Sequence, residues 1–163
     1  MPEISIGLYP DVGAGWFLSR LPGRLGLFLG LTGAPLNARD ALDLGLADRF
    51  MGDDQQEQLI DGLLQLNWQE QTAMQLNSLL KALEQEAREQ LPPAQWLPRR
   101  EQIDRVLDVS DPACAWRAIA QLEHQPDVLL AKAAGTLLKG CPLTAHLVWQ
   151  QLERARYLSL SLI

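Results

Sequence analysis

Two carboxylates near the start of the chain, Glu3 and Asp11, are the residues whose type and spacing admit chemistry. Glu3 stands before a short β-prone alternation, Ile4 to Leu8, and Asp11 follows Pro10 where a helix-forming stretch begins. A carboxylate at a strand end and a second one eight residues later at a helix start can converge on one pocket. There, neighbouring charge and partial burial would suit them to proton transfer. They need not converge. Asp11 also reads as an N-cap whose oxygen accepts the orphan amides of Gly13 or Ala14, and Glu3 as a solvated strand-edge carboxylate. Gly13, Ala14 and Gly15 at that helix start would let a ligand approach the backbone, where the helix dipole favours negative charge. Close helix packing accounts for the same small residues equally well.

The remaining reactive types offer less. His124 and His146 stand alone on separate helical stretches, as surface or satisfied core histidines do. Cys114 and Cys141 have no CxxC spacing and no histidine at metal-ligand distance in sequence, so two reduced thiols are expected and no metal site. The five tryptophans, Trp16, Trp68, Trp96, Trp116 and Trp149, fall one to a segment, as packing anchors do.

Punctuation along the chain gives the elements that must hold these residues. Ile4–Leu8 reads as a short strand closed by Pro10-Asp11, and Val12–Arg20 as a helix ended by Pro22-Gly23. Arg24–Leu31 is a second, apolar helix with Gly33 as its left-handed cap. Asn37-Ala38-Arg39-Asp40 has the form of a capping box, with a helix stop at Gly45. Leu46–Met51 reads as a short strand. The turn residues Gly52-Asp53-Asp54 and a rise in polarity mark a boundary, giving segments 1–52 and 53–163. Beyond it, Leu59, Leu63 and Leu66, then Leu76, Leu79, Leu80 and Leu83, recur at helical spacing. Two helices are predicted, interrupted near Asn67–Thr72. Helices over Arg100–Leu107, Ala113–Leu122, Val128–Lys139 and Leu143–Arg156 follow, set off by Asp111-Pro112, Pro126-Asp127 and Cys141-Pro142. The fold class predicted is mainly α, with strand confined to Ile4–Leu8 and Leu46–Met51.

The 163 residues suffice for one domain with a sizeable core or for two small lobes. A net charge of −6 opposes nucleic acid and anionic membrane as partners, and no apolar run is long enough to span a bilayer. The first residues have the pattern of neither a signal nor a transit peptide, so the cytoplasm is the expected compartment. The chain opens directly in the β-prone alternation and stops on apolar residues with no helix stop signal. Both ends are therefore expected to continue into a longer fold.

The run from Met1 to Leu21 contains Pro2-Glu3, Gly7-Leu8, Pro10, a glycine-rich helix start and Arg20-Leu21. It resembles the signature of the crotonase superfamily of acyl-CoA enzymes. The likeness continues through Leu31-Thr32-Gly33 and Asn37 to Asp48, with Gly45-Leu46-Ala47, so it covers about the first third of the chain. The quartet Pro10-Asp11-Val12-Gly13 is similar to the 3-hydroxyisobutyryl-CoA hydrolases, whereas hydratases and isomerases usually carry a small residue after that proline. Ile103-Asp104-Arg105 and Cys141-Pro142-Leu143-Thr144 look like the C-terminal extension of the hydrolase branch.

The resemblance implies that residues 1–52 are the C-terminal remnant of a crotonase core and 53–163 an α-helical C-terminal domain. It assigns Glu3 as base or nucleophile towards a thioester carbonyl, Asp11 as the partner that orients hydroxyl or water, and Gly13 and Ala14 as substrate-binding positions. It implies an acyl-CoA substrate, a place in valine catabolism, no cofactor apart from the coenzyme A of the substrate, and a homo-oligomer. The oxyanion donors of this superfamily lie upstream of the Pro-Glu, in a glycine-rich segment with no counterpart here. The chain by itself is therefore expected to be inactive, and Ile4, Ile6, Leu8, Val12 and the Phe28–Leu31 helix are expected to expose apolar surface that would have packed on the missing layers. Two other readings are an enoyl-CoA hydratase or isomerase and a non-catalytic helical packing module.

Overall fold

The computed structural model describes residues 3–11 and 13–159. Among them there are ten α-helices and no strand, in the order α1 Glu3–Ile6, α2 Ala14–Leu18, α3 Leu25–Thr32, α4 Ala38–Asp43, α5 Gln56–Gln65, α6 Thr72–Glu86, α7 Arg100–Val106, α8 Pro112–Ala120, α9 Val128–Lys139 and α10 Pro142–Ala155. The mainly α class holds, and both expected strands are corrected. A strand needs a partner strand to take up its backbone groups, and in both segments such groups find other partners. At the first, Glu3–Ile6 is a helical turn; the Leu8 amide returns to the Glu3 carbonyl at 3.1 Å, and the Ile4 carbonyl accepts from Cys141 N at 2.9 Å. At the second, Leu46 N donates to Ala41 O at 2.8 Å and Gly45 N to Leu42 O at 3.1 Å. That is a Schellman closure of α4 with Gly45 left-handed at φ 68°, and it spends the amide with which a strand at Leu46–Met51 would have begun.

The chain forms two compact units, Met1–Leu36 with Gln95–Ile163, and Asn37–Ala94. The boundary expected at Gly52 concerns which part of a family fold each segment continues; compactness divides the chain differently.

In the first unit α3 is apolar all round and every one of its residues is buried, as a helix enclosed by neighbours must be. It packs on α2, α7, α9 and α10. Phe28 meets Trp96 with ring centroids 5.5 Å apart, and the Trp96 indole donates to Pro35 O at 2.8 Å. An exposed Phe28–Leu31 face was expected, and this enclosure corrects it. Ile4 is likewise buried, whereas Ile6 and Leu8 are exposed as expected, at 63% and 56%. Val12, expected on the same face, lies outside the described residues.

In the second unit the capping box forms as read: Asn37 Oδ1 accepts from Asp40 N at 2.9 Å, and Asp40 Oδ2 from Asn37 N at 3.3 Å. α5 packs on α6, and buried Gln55 joins Gly52 N to Leu83 O at 3.0 Å each. No helix among the described residues is long and apolar enough to cross a membrane.

Helix α9 supplies a test of how its start is held. Asp127 caps it, accepting from Leu129 N at 3.0 Å and Leu130 N at 3.2 Å, and pairs with Arg99 Nε at 2.7 Å. Burial works against the Asp127 charge; the Arg99 hydrogen bond, the Leu130 and Leu129 amides and the Arg99 charge together outweigh it and hold the carboxyl below its usual range. A depressed folded-state value adds stability above the unfolded-state value, and that stability is lost as pH falls through the folded one. Melting temperature should therefore decline on acidification below about pH 4. The decline should be shallower in Asp127→Asn, which keeps a capping oxygen but has no charge to lose. Equal slopes in a pH series of melting curves would remove Asp127 as a source.

Candidate functional site

The segment from α1 to α2 carries all four expected site residues, and the structure gives each a different setting. Glu3 sits in the first turn of α1, half-buried, and its Oε2 is buried with no hydrogen-bond partner among the described residues. An unmet buried acceptor costs about 1–3 kcal/mol, so such a group calls for a reason. Asp11 is exposed, and its backbone carbonyl accepts from Ala14 N at 2.8 Å. Its carboxylate does not cap α2: the N-cap position is Gly13, in the left-handed region at φ 81°, and among the described residues no side-chain hydrogen bond caps the helix. The capping alternative for Asp11 is thereby excluded. Gly13 is half-buried and is the residue type that adopts such a φ without strain.

Ala14 and Gly15 are buried, and Gly15 faces Gln151 of α10, where an added Cβ would stand 3.1 Å from the Gln151 Cγ. Close packing is thus what Gly15 serves. Among the described residues no hydrogen bond joins Glu3 to Asp11; what the structure gives them in common is one short segment.

Two further residues hold this segment in place: no local pattern announces Gln151, whereas Arg20 belongs to the Arg20-Leu21 pair of the signature. Gln151 Nε2 donates to Pro10 O at 2.8 Å, across 141 positions of sequence. Arg20 lies over the Trp16 ring at 4.0 Å and donates to Trp16 O at 2.9 Å and to Leu158 O at 3.1 Å. Beside Gln151, a cleft of about 330 Å³ is lined by Tyr9, Leu147, Gln150, Arg154 and Leu158. Glu3 and Asp11 are not part of its lining. No group of three or more His, Cys, Asp or Glu among the described residues could hold a metal ion.

Chemically the segment offers one exposed carboxylate and one half-buried carboxylate with an oxygen that, among the described residues, has no hydrogen-bond partner. These are groups able to take a proton from water or to orient it. A pair of oxyanion donors is a separate requirement.

The sequence matches the family model described as enoyl-CoA hydratase/isomerase over residues 1–162. It is 33% identical over 161 residues to a mitochondrial 3-hydroxyisobutyryl-CoA hydrolase of Danio rerio, covering 98% of this chain and 41% of that protein. It is 30% identical over 164 residues to 3-hydroxyisobutyryl-CoA hydrolase 1 of Arabidopsis thaliana, covering 96% and 40%. Among solved structures, a carnitinyl-CoA dehydratase from Mycobacterium thermoresistibile superposes with a TM-score of 0.80 at 30% identity, covering 99% of this chain and 43% of that one. The chain thus spans about two fifths of the length of the curated relatives it matches. With almost its whole length accounted for by one family model and a fold shared with an acyl-CoA enzyme, the chain belongs to the enoyl-CoA hydratase/isomerase family.

Proposed function

We propose that this chain is the C-terminal part of an acyl-CoA thioester hydrolase acting on 3-hydroxyisobutyryl-CoA, in the breakdown of valine. The observation that carries the reading is the identity with two proteins named for that activity, running along nearly the whole chain; the Asp after Pro10 is the feature by which the sequence itself resembles the hydrolases. In the proposed reaction Glu3 takes a proton from water or attacks the thioester carbonyl itself, and Asp11 orients the substrate hydroxyl or the water. Where water adds directly, carbon–oxygen bond formation drives out the thiolate, which is protonated to free coenzyme A, and the hydroxy acid leaves; where Glu3 adds, loss of the thiolate leaves a mixed anhydride that water then hydrolyses, restoring Glu3 and releasing the hydroxy acid. Gly13 and Ala14 form the floor on which the acyl group lies.

The oxyanion donors and most of the coenzyme A cradle are assigned to polypeptide beyond this chain, in keeping with its two-fifths coverage of the relatives. The chain alone should then give no thioesterase turnover, because losing even one oxyanion donor costs about 10²–10³ in rate. A second reading, hydration or isomerisation of an enoyl-CoA, is favoured by the structural likeness to a carnitinyl-CoA dehydratase. Incubating the complete polypeptide with 3-hydroxyisobutyryl-CoA and, separately, with an enoyl-CoA separates them. Release of free thiol from the first supports the hydrolase, and loss of enoyl absorbance without thiol release sinks it. Neither signal would leave the helical packing module.

A further inference from the structure

We infer that Gln151, on α10, is a positioning residue for Asp11, acting through the carbonyl immediately before it. The inference rests on the assignment of Asp11 to the catalytic machinery. Among the described residues nothing fixes the Asp11 carboxylate: it is exposed, it caps no described helix, and the helix behind it, α2, is only five residues long. What is fixed is the backbone on either side. After Asp11, its own carbonyl is tied to Ala14 N at 2.8 Å, closing the turn into α2. Before it, the carbonyl of buried Pro10 receives Gln151 Nε2 at 2.8 Å. Because the acceptor is a carbonyl, the atom facing it must be the amide nitrogen of Gln151, so the orientation of this side chain is set by chemistry.

Gln151 is held to that task from a third side. Gly15 leaves it room: a Cβ there would stand 3.1 Å from Gln151 Cγ and 3.2 Å from both Cδ and Nε2, closer than ordinary packing allows. The other end of the amide, Oε1, is buried with no hydrogen-bond partner among the described residues. A packing role alone would be served by an apolar side chain of the same length, without leaving a buried acceptor unmet. The donor on Pro10 is the one thing glutamine adds at this place. A displacement of a reacting group by about 1 Å can cost on the order of 10² in rate, and Pro10 O is where such a displacement of Asp11 would begin.

The test uses three variants of the complete polypeptide. Gln151→Met keeps the length and removes the donor; Gln151→Lys keeps a donor of similar reach; Gly15→Ala pushes the amide aside without touching it. Gln151→Met and Gly15→Ala should lower kcat by about 10- to 100-fold with KM changed less than about 3-fold, and Gln151→Lys should recover most of the loss. Hydrogen exchange over residues 9–18 should quicken at the Ala14 amide in Gln151→Met and return towards normal in Gln151→Lys. Unchanged exchange in Gln151→Met, or equal loss of kcat in the Met and Lys variants, overturns the positioning role. Exchange reports on the loop whether or not Asp11 is catalytic. If Asp11→Asn leaves turnover intact while exchange still responds to Gln151→Met, the catalytic assignment of Asp11 has failed and the tether has not.

Discussion

Glu3→Gln in the complete polypeptide should lower kcat for thioester hydrolysis by about 10² or more while leaving melting temperature unchanged or slightly raised. The two signs have different physical origins. Turnover falls because the amide is nearly the shape of the carboxylate but accepts no proton and makes no nucleophile. Stability holds because Glu3 Oε2 is buried without a partner among the described residues, and replacing a carboxylate in such a place with a neutral amide lowers its desolvation cost. A residue kept at a position that disfavours it is the pattern expected where function is selected against stability. Asp11→Asn should act in the same direction on turnover, by about 10², with no change in melting. Since Gly13 and not Asp11 occupies the N-cap position of α2, no capping contribution is there to lose. Loss of stability with unchanged turnover in Glu3→Gln would make Glu3 a structural residue. Unchanged turnover in Asp11→Asn would remove the main ground for a hydrolase over a hydratase.

The largest expected effect on the fold is at Gly26. In an exposed helix, replacing glycine by alanine gains about 0.5–1 kcal/mol by restricting the unfolded chain. Here α2 and α3 approach so closely that a Cβ on Gly26 would fall within the van der Waals envelope of the Leu18 carbonyl oxygen and carbon. Those are backbone atoms and cannot rotate aside, and overpacking typically costs about 1–3 kcal/mol even where side chains can yield. The clash wins. Gly26→Ala should destabilise by about 2 kcal/mol, a fall in melting temperature of roughly 4–8 °C.

Gly135→Ala in α9 is the matched control, since a Cβ there meets only Glu123 Oε1, at 3.9 Å. That substitution should leave melting unchanged or raise it by a degree or two, of the order expected from helix propensity. If Gly26→Ala melts with the control, the close approach of α2 to α3 does not limit stability. Because α2 follows directly on the segment bearing Asp11, the same variant should also lose turnover in proportion to the displaced α2.

What the sequence determined by itself was whatever a few neighbouring residues decide. The Asn37-to-Asp40 capping box, the break over Asn67–Thr72 and the helix starts at Pro112 and Pro142 all came through within a residue or two, because caps and proline act over one turn. The run from Pro2 to Gly13 carried the family for the same reason: its information is contiguous. What the tertiary structure decided is where each backbone group finds its partner. Ile4–Leu8 has strand-like composition, but strand is a property of a pair, and Ile4 O is instead met by Cys141 N from far along the chain. Leu46 has its amide drawn back to Ala41 by a left-handed Gly45 before any strand could begin. The same division runs through the site. Glu3 and Asp11 were legible as types at a spacing, but the glycine that takes the cap from Asp11 and the glutamine 141 positions away that holds Pro10 depend on which helices become neighbours. No periodicity or propensity encodes that, because it is fixed only when α2, α3 and α10 close on one another and exclude water from between them.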